Sequence, residues 1–246
     1  MRNLKLILTY DGTRYKGWQR LSGEENTIQG KLEAALSRIL GEPVEVSGSG
    51  RTDAGAHALG QVASFHCESG MPCPALLEAL RKYLPEDIGV LSCEEAAPRF
   101  HARLNATGKT YLYRVWNSPE PCVFDRRYVY RMEEPLDLPA MERAASMVLG
   151  THDFLSFCSN KHFKKSSVRT IYSLTIRREG PEVRFTVAGD GFLYNMVRIL
   201  VGTLLEVGTG RRDPEEIPRI LAARNREAAG YTVPAAGLFL TEVTYQ

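Results

Sequence analysis

The chain has 246 residues, of which 43% are hydrophobic and 24% charged, a composition that excludes a disordered chain and suits one large domain or two small ones. Its 31 basic and 29 acidic side chains leave a net charge of +2, so any polyanionic partner would have to meet a local basic surface rather than a basic total. No apolar run approaches the roughly 18 residues of a membrane span, and the apolar stretch at the N-terminus is too short for a secretory signal. The five cysteines include no C-x-x-C pair and fit neither a disulfide framework nor a zinc site, as expected of a reduced, cytoplasmic protein.

Residues 4–10, LKLILTY, predict a strand that ends at the turn signal Asp11-Gly12. Residues 27–40 predict a helix. Ile28, Leu32, Leu36 and Ile39 recur at helical spacing, Asn26 or Thr27 can cap the start, and Gly41 and Pro43 follow the end. A short strand at 43–47 enters a glycine-rich loop, and QVASFHC at 61–67 alternates as a strand should. A second helix is predicted at 74–83, with Pro74 in its first turn, and another strand at 88–95. The order so far is β-α-β-β-α-β. The remainder reads the same way: a strand at 109–116, a helix at 138–149, and strands at 168–178 and 181–189 about the turn Glu179-Gly180-Pro181. A strongly apolar helix from about 191 to 207, a smaller one at 214–223 and a last strand at 237–244 complete it. The expected fold is α+β: two halves, 1–105 and 106–246, each an antiparallel sheet with helices on one face. Only the topology repeats; no repeated sequence is visible.

The loop GSGRTDAGAHA at 48–58 has three readings. It is a long turn between strands, a phosphate cradle, or an exposed carboxylate, Asp53, on a loop that permits close approach. The cradle reading lacks the lysine and the following helix of a phosphate-binding loop. Arg51 and Asp53 are two residues apart in an extended stretch, so their side chains point the same way. The helix around Arg198 is apolar on most of its circumference, with Asn195, Arg198, Gly202 and Glu206 sharing a narrow strip. A cation there requires an anion, either a structural acid or Asp53. In KTYLYR at 109–114, Tyr111 and Tyr113 share one face of a strand, as core residues or as a platform for a ring substrate. Basic residues cluster at Arg14, Lys16 and Arg20, at Arg99, His101 and Arg103, at Arg126, Arg127 and Arg131, and at Lys161, Lys164, Lys165 and Arg169. Each cluster reads as a solvated face or as part of an RNA surface. The five histidines show no metal-ligand spacing.

Over nearly its full length the chain resembles the TruA-type tRNA pseudouridine synthases. The resemblance rests on G-R-T-D-A-G-A-H-A at 50–58, Y-D-G-T-x-Y-x-G-W-Q at 10–19, F-H-A-R at 100–103, K-T-Y-x-Y at 109–113 and G-F-L-Y-N-M-V-R-I-L-V-G-T-L at 191–204, in that family's order. Ala56 and Lys109 stand where the family often has Val and Arg, and 157–168 matches nothing in the pattern. The resemblance implies a cytoplasmic homodimer that isomerises uridine to pseudouridine at positions 38, 39 and 40 of the tRNA anticodon stem-loop, with no metal and no organic cofactor. It implies two ferredoxin-like halves joined in one mostly antiparallel sheet, with the active-site cleft between them. Asp53 falls on the family's catalytic aspartate. With it go Arg198 as ion-pair partner, Tyr111 as stacking platform and aid to proton transfer, and Arg51, Arg14 and Lys16 as RNA contacts. A non-catalytic tandem RNA-binding module is the competing reading. Such a module has no reason to set an acid against its RNA in a glycine-rich loop.

Overall fold

The computed structural model describes residues 1–160 and 166–246. Lys161, Lys164 and Lys165, counted above in a basic cluster, lie outside the described residues, as does His162. The chain divides into two compact units, Met1–Thr107 with Phe239–Gln246, and Gly108–Leu238. Both are α+β, with mostly antiparallel strands and helices on one side. The last strand therefore goes with the first unit, not with the second half in which sequence order puts it.

In the first unit, β1 (Arg2–Tyr10) is flanked by β3 (His57–Cys67) and β4 (Ile88–Glu95), and β2 (Val46–Gly48) pairs with β3. The order β4-β1-β3-β2, antiparallel throughout, is the ferredoxin-like arrangement. β10 (Leu238–Tyr245) runs parallel to β3, through Phe239 opposite His57 and Leu240 opposite Ala58. β2 uses residues 63–65 of β3, so β2 and β10 bond different stretches of that strand. Helices α1 (Ile28–Leu40) and α2 (Cys73–Tyr83) pack together. Thr27 caps α1 by accepting the Gly30 N–H, and Gly41 closes it with φ 73°. Alternate residues Leu4, Leu6 and Leu8 of β1 form the core with Ile28, Leu32 and Leu36 of α1 and Leu76 and Leu80 of α2, all fully buried.

The second unit is ordered β5-β9-β8-β7, from Ala106–Asn117, Glu182–Gly189, Val168–Glu179 and Gly150–Asp153, all antiparallel. β6 (Tyr130–Met132) lies parallel to β5. Helix α3 (Leu138–Ser146) packs on β8 and on α4 (Met196–Gly208), and α5 (Ile217–Ala223) follows. Two boundaries differ from the sequence reading. The helix expected to reach 149 ends at Ser146, because Met147, Val148 and Leu149 each bond the carbonyl three residues back, tightening the chain before β7. The apolar helix expected from 191 begins at Met196, because Asn195 adopts the left-handed conformation, φ 62°, which a right-handed helix cannot contain. Within α4 every residue is buried except Arg198 and Glu206, both half-buried.

One ion-pair network lies on β5 and β9. Arg114 clasps buried Glu182 through two bonds of 2.8 Å, and Arg184 Nε lies 2.6 Å from the same carboxylate. Burial alone would raise the Glu182 carboxyl above its ordinary 4.5; the two guanidiniums outweigh it and hold the group below that value. Its folded-state pKa is depressed, so its stabilisation is present above pH about 4.5 and is lost as pH falls through the lower folded value. Glu182→Gln should therefore destabilise the protein at pH 7 by about 2 kcal/mol, and less at pH 3. Urea midpoints of both proteins at the two pH values check this; a gap independent of pH would contradict it.

Candidate active site

Asp53 sits on a turn without regular structure between β2 and β3, closed by the Ala56 N–H bonding the Asp53 carbonyl at 3.1 Å. Arg51 is exposed, Thr52 buried and Asp53 half-buried, the alternation of an extended stretch. What shapes this turn is the segment after β1. The Trp18 N–H donates to the Thr52 carbonyl at 3.1 Å, and the Gly55 N–H donates to the Tyr15 carbonyl at 3.3 Å. The approach is close enough to require glycine at two positions. A Cβ on Gly12 would lie 1.9 Å from the Ala56 carbonyl oxygen. Gly17 has φ 94°, and a Cβ there would lie 2.7 Å from the Thr52 carbonyl oxygen. The motifs at 10–19 and 50–58, forty residues apart in sequence, thus form one object.

Beneath the turn lies a buried polar network. The Gln61 amide nitrogen donates to the Gly50 carbonyl at 3.0 Å and to the Tyr10 hydroxyl at 3.4 Å, and its amide oxygen accepts from the Ser49 hydroxyl at 2.6 Å. The Tyr10 hydroxyl lies 2.8 Å from Thr52 Oγ1. Either of these two hydroxyls can be the donor in that bond. Burial pushes the Tyr10 phenol up to about 12, against the opposing bonds from Thr52 and Gln61, so it is protonated at neutral pH. Buried His57 caps the far end: its Nδ1 accepts the Gly12 N–H at 3.1 Å, and its ring stacks on Phe239 at 4.7 Å.

The N-terminal arginines are already engaged. Arg14 bonds Asp87 at 2.6 and 3.0 Å, with Tyr15 donating to the other carboxylate oxygen. Arg20 pairs with buried Glu33 at 2.8 Å. Lys16 is exposed and makes no ion pair among the described residues. Of the three cations, Lys16 offers its charge with least internal competition.

Tyr111 and Arg198 belong to the second unit. Tyr113 is core: fully buried, it donates its hydroxyl to the Pro234 carbonyl at 2.7 Å, and burial drives its phenol well above the ordinary range, opposed by the nearby Arg198 cation. Tyr111 is 8% exposed and meets Phe192 edge-on at 5.1 Å. Arg198 Nε donates to the Val233 carbonyl at 2.7 Å and Nη1 to Asn195 Oδ1 at 2.9 Å. The sequence strip held Asn195 as a helical neighbour of Arg198; it is instead a left-handed residue before the helix that orients the guanidinium. Glu206 of the same strip pairs with Arg212 at 2.9 Å. Sequence reasoning gave no role to Tyr10, Thr52 or Gln61, and took Asn195 only as a member of the helix strip. The available signals were a glutamine opening an apolar strand run and an asparagine, the side chain that best tolerates positive φ. Among the described residues no group of His, Cys, Asp or Glu side chains is placed to hold a metal ion, and no helix is long and apolar enough to cross a membrane.

A model of a tRNA pseudouridine synthase family matches residues 6–105 and 144–246. The class so defined is that of isomerases acting on uridine. The chain is 49% identical to tRNA pseudouridine synthase A of Acetivibrio thermocellus, 48% to that of Brevibacillus brevis and 46% to that of a Bacillus species, in each case covering 100% of both chains. It belongs to the tRNA pseudouridine synthase family and is an enzyme of that class. Tyr111 and the arginines at 126 and 127 lie between the two matched stretches.

Tyr10→Phe deletes one hydroxyl from the network and leaves the Thr52 hydroxyl and the Gln61 amide each short of a partner. The expected cost is about 1–2 kcal/mol, a fall in Tm of about 2–8 °C for a chain of this length. Thermal unfolding of the variant tests it, and an unchanged Tm would show that the network adds nothing to stability.

Proposed function

We propose that the chain isomerises uridine to pseudouridine at positions 38, 39 and 40 of the tRNA anticodon stem-loop, as a homodimer, with Asp53 as nucleophile. The observation that carries the reading is the braced turn: two family motifs converge to fix its backbone and leave one carboxylate half-exposed upon it. The reaction breaks the N1–C1′ bond and forms a C5–C1′ bond. C5 loses a proton and N1 gains one, so atoms and electrons balance without an outside reagent. An ionised carboxylate serves as nucleophile at C6 of the base or at C1′ of the sugar. Arg198 serves as the cation that partners that carboxylate in the reaction. Tyr111 stacks on the uracil and assists removal of the C5 proton. The target base leaves its stack at a cost of a few kcal/mol. Arg51 occupies the space it vacates and holds phosphates together with Lys16 and Arg14.

Asp53→Asn is nearly isosteric and should keep tRNA affinity while abolishing release of tritium from C5-labelled uridine in tRNA. Turnover above a trace of the wild-type rate would overturn the nucleophile assignment. Arg198→Met should lower kcat more than tRNA affinity. For Tyr111, stacking alone predicts that Phe retains most activity while Ala loses about 5- to 140-fold, the equivalent of ~1–3 kcal/mol per stacked base. A hydroxyl that moves the proton predicts that Phe is slow as well. An Ala variant that behaves like wild type would exclude any stacking role.

A further inference from the structure

The connection between β5 and β6 is fastened at its foot and bare at its tip. The Trp116 indole N–H donates to the Glu120 carbonyl at 2.8 Å, and Arg131 Nη2 donates to the Pro119 carbonyl at 3.1 Å. A turn follows in which the Tyr128 N–H bonds the Asp125 carbonyl at 2.7 Å. On this fixed base the tip residues Val123 and Phe124 are 56% and 94% exposed. A lone exposed aliphatic residue is ordinary. A phenylalanine ring left almost wholly in water, on a loop held by side-chain bonds, is not explained by the folding of this chain.

The charges around it point to the occupant. The tip's acid, Asp125, lies 3.5 Å from Arg114, so its charge is offset from below. Arg126 and Arg127 are exposed, and neither makes an ion pair among the described residues. Arg126 Nη1 instead donates to the Val123 carbonyl at 2.5 Å, which holds its guanidinium beside the tip. One open aromatic face beside two uncompensated guanidiniums is the pairing that binds a nucleotide: the ring takes the base, the arginines take the phosphates. A base inside a duplex has both faces covered by its neighbours, so the recognised nucleotide is an unpaired one.

We propose that the Val123–Arg127 tip is a second RNA contact, distinct from the Asp53 turn, in which Phe124 stacks on an unpaired base of the tRNA substrate while Arg126 and Arg127 hold adjacent phosphates. This rests on the tRNA reading given above. The tip contributes affinity and placement of the RNA and has no part in the chemistry.

The test compares Phe124→Trp, Phe124→Leu and Phe124→Ser, with Arg126→Gln/Arg127→Gln, for binding and turnover of a tRNA transcript, with Tm as a control for folding. Phe124→Trp should match wild type. Phe124→Leu and Phe124→Ser should both raise KM and Kd by about 5- to 140-fold, the equivalent of ~1–3 kcal/mol per stacked base, with kcat unchanged. The double arginine variant should flatten the slope of log affinity against log salt by about 1.4, two single-strand phosphates at ~0.7 each. Full affinity with leucine and loss with serine would mean an apolar protein contact and would overturn the proposal. So would a fall to monomer by sedimentation in Phe124→Ser that accounts for the lost affinity. Wild-type affinity in all variants would overturn it too. Failure of the wild-type protein to bind or modify any tRNA would refute the parent reading instead, so the two failures are separate.

Discussion

The turn that carries Asp53 has no helix or strand of its own, and its shape depends on a hydroxyl and an amide buried beneath it. Gln61 ties Ser49 and Gly50 to β3, while Tyr10 ties Thr52 to β1. β1 and β3 are neighbouring antiparallel strands whose register, with a shift between Leu8 and Tyr10, sets Tyr10 opposite Ala58. The sheet therefore decides where the two polar groups stand, and they decide where the turn stands. A buried polar network is stabilising only when each member is satisfied, so this arrangement tolerates little displacement. The nucleophile role proposed for Asp53 calls for such rigidity, because attack requires a positioned carboxylate.

Charge is distributed on the same economical plan. Behind the net charge of +2, several arginines are engaged by the protein's own acids: Arg14 by Asp87, Arg20 by Glu33, Arg114 and Arg184 by Glu182, Arg212 by Glu206. These pairs lock strands and loops in place and leave little charge for a long-range field. Cations without an internal acid, such as Lys16, Arg126 and Arg127, then stand out locally. An RNA surface built from a few such positions acts by releasing counterions at the phosphates it touches, and needs no large net charge.

α4 shows how a helix can be almost entirely buried and still present an oriented charged group. Its apolar surface is consumed by packing, and the two residues that escape burial, Arg198 and Glu206, are both charged. Glu206 is held by Arg212 and by the Tyr231 N–H, while Arg198 is oriented by the Val233 carbonyl and the Asn195 side chain. Asn195 does this from a left-handed conformation that ends the preceding loop. Energy spent on that backbone angle yields an acceptor one turn below the guanidinium, where a helical residue would point elsewhere.

The sequence by itself determined the alternation of β1, the periodicity and caps of α1, the β-α-β-β-α-β order of the first half and the family to which Asp53, Tyr111 and Arg198 belong as motif residues. These are local properties: a strand or an amphipathic helix is written in the spacing of its apolar side chains, and a motif in its letters. Only the tertiary structure decided that β10 joins β3, that the helix after residue 191 waits until Met196, and that Arg14 and Arg20 are bound to acids far along the chain. It also decided that Tyr10, Thr52 and Gln61 lie under the Asp53 turn. Apart from the start of α4, each of these depends on which groups meet across a dozen residues or many more. A hydrogen bond or an ion pair between distant residues leaves no periodic trace in the chain, because nothing in the spacing of either partner records the other.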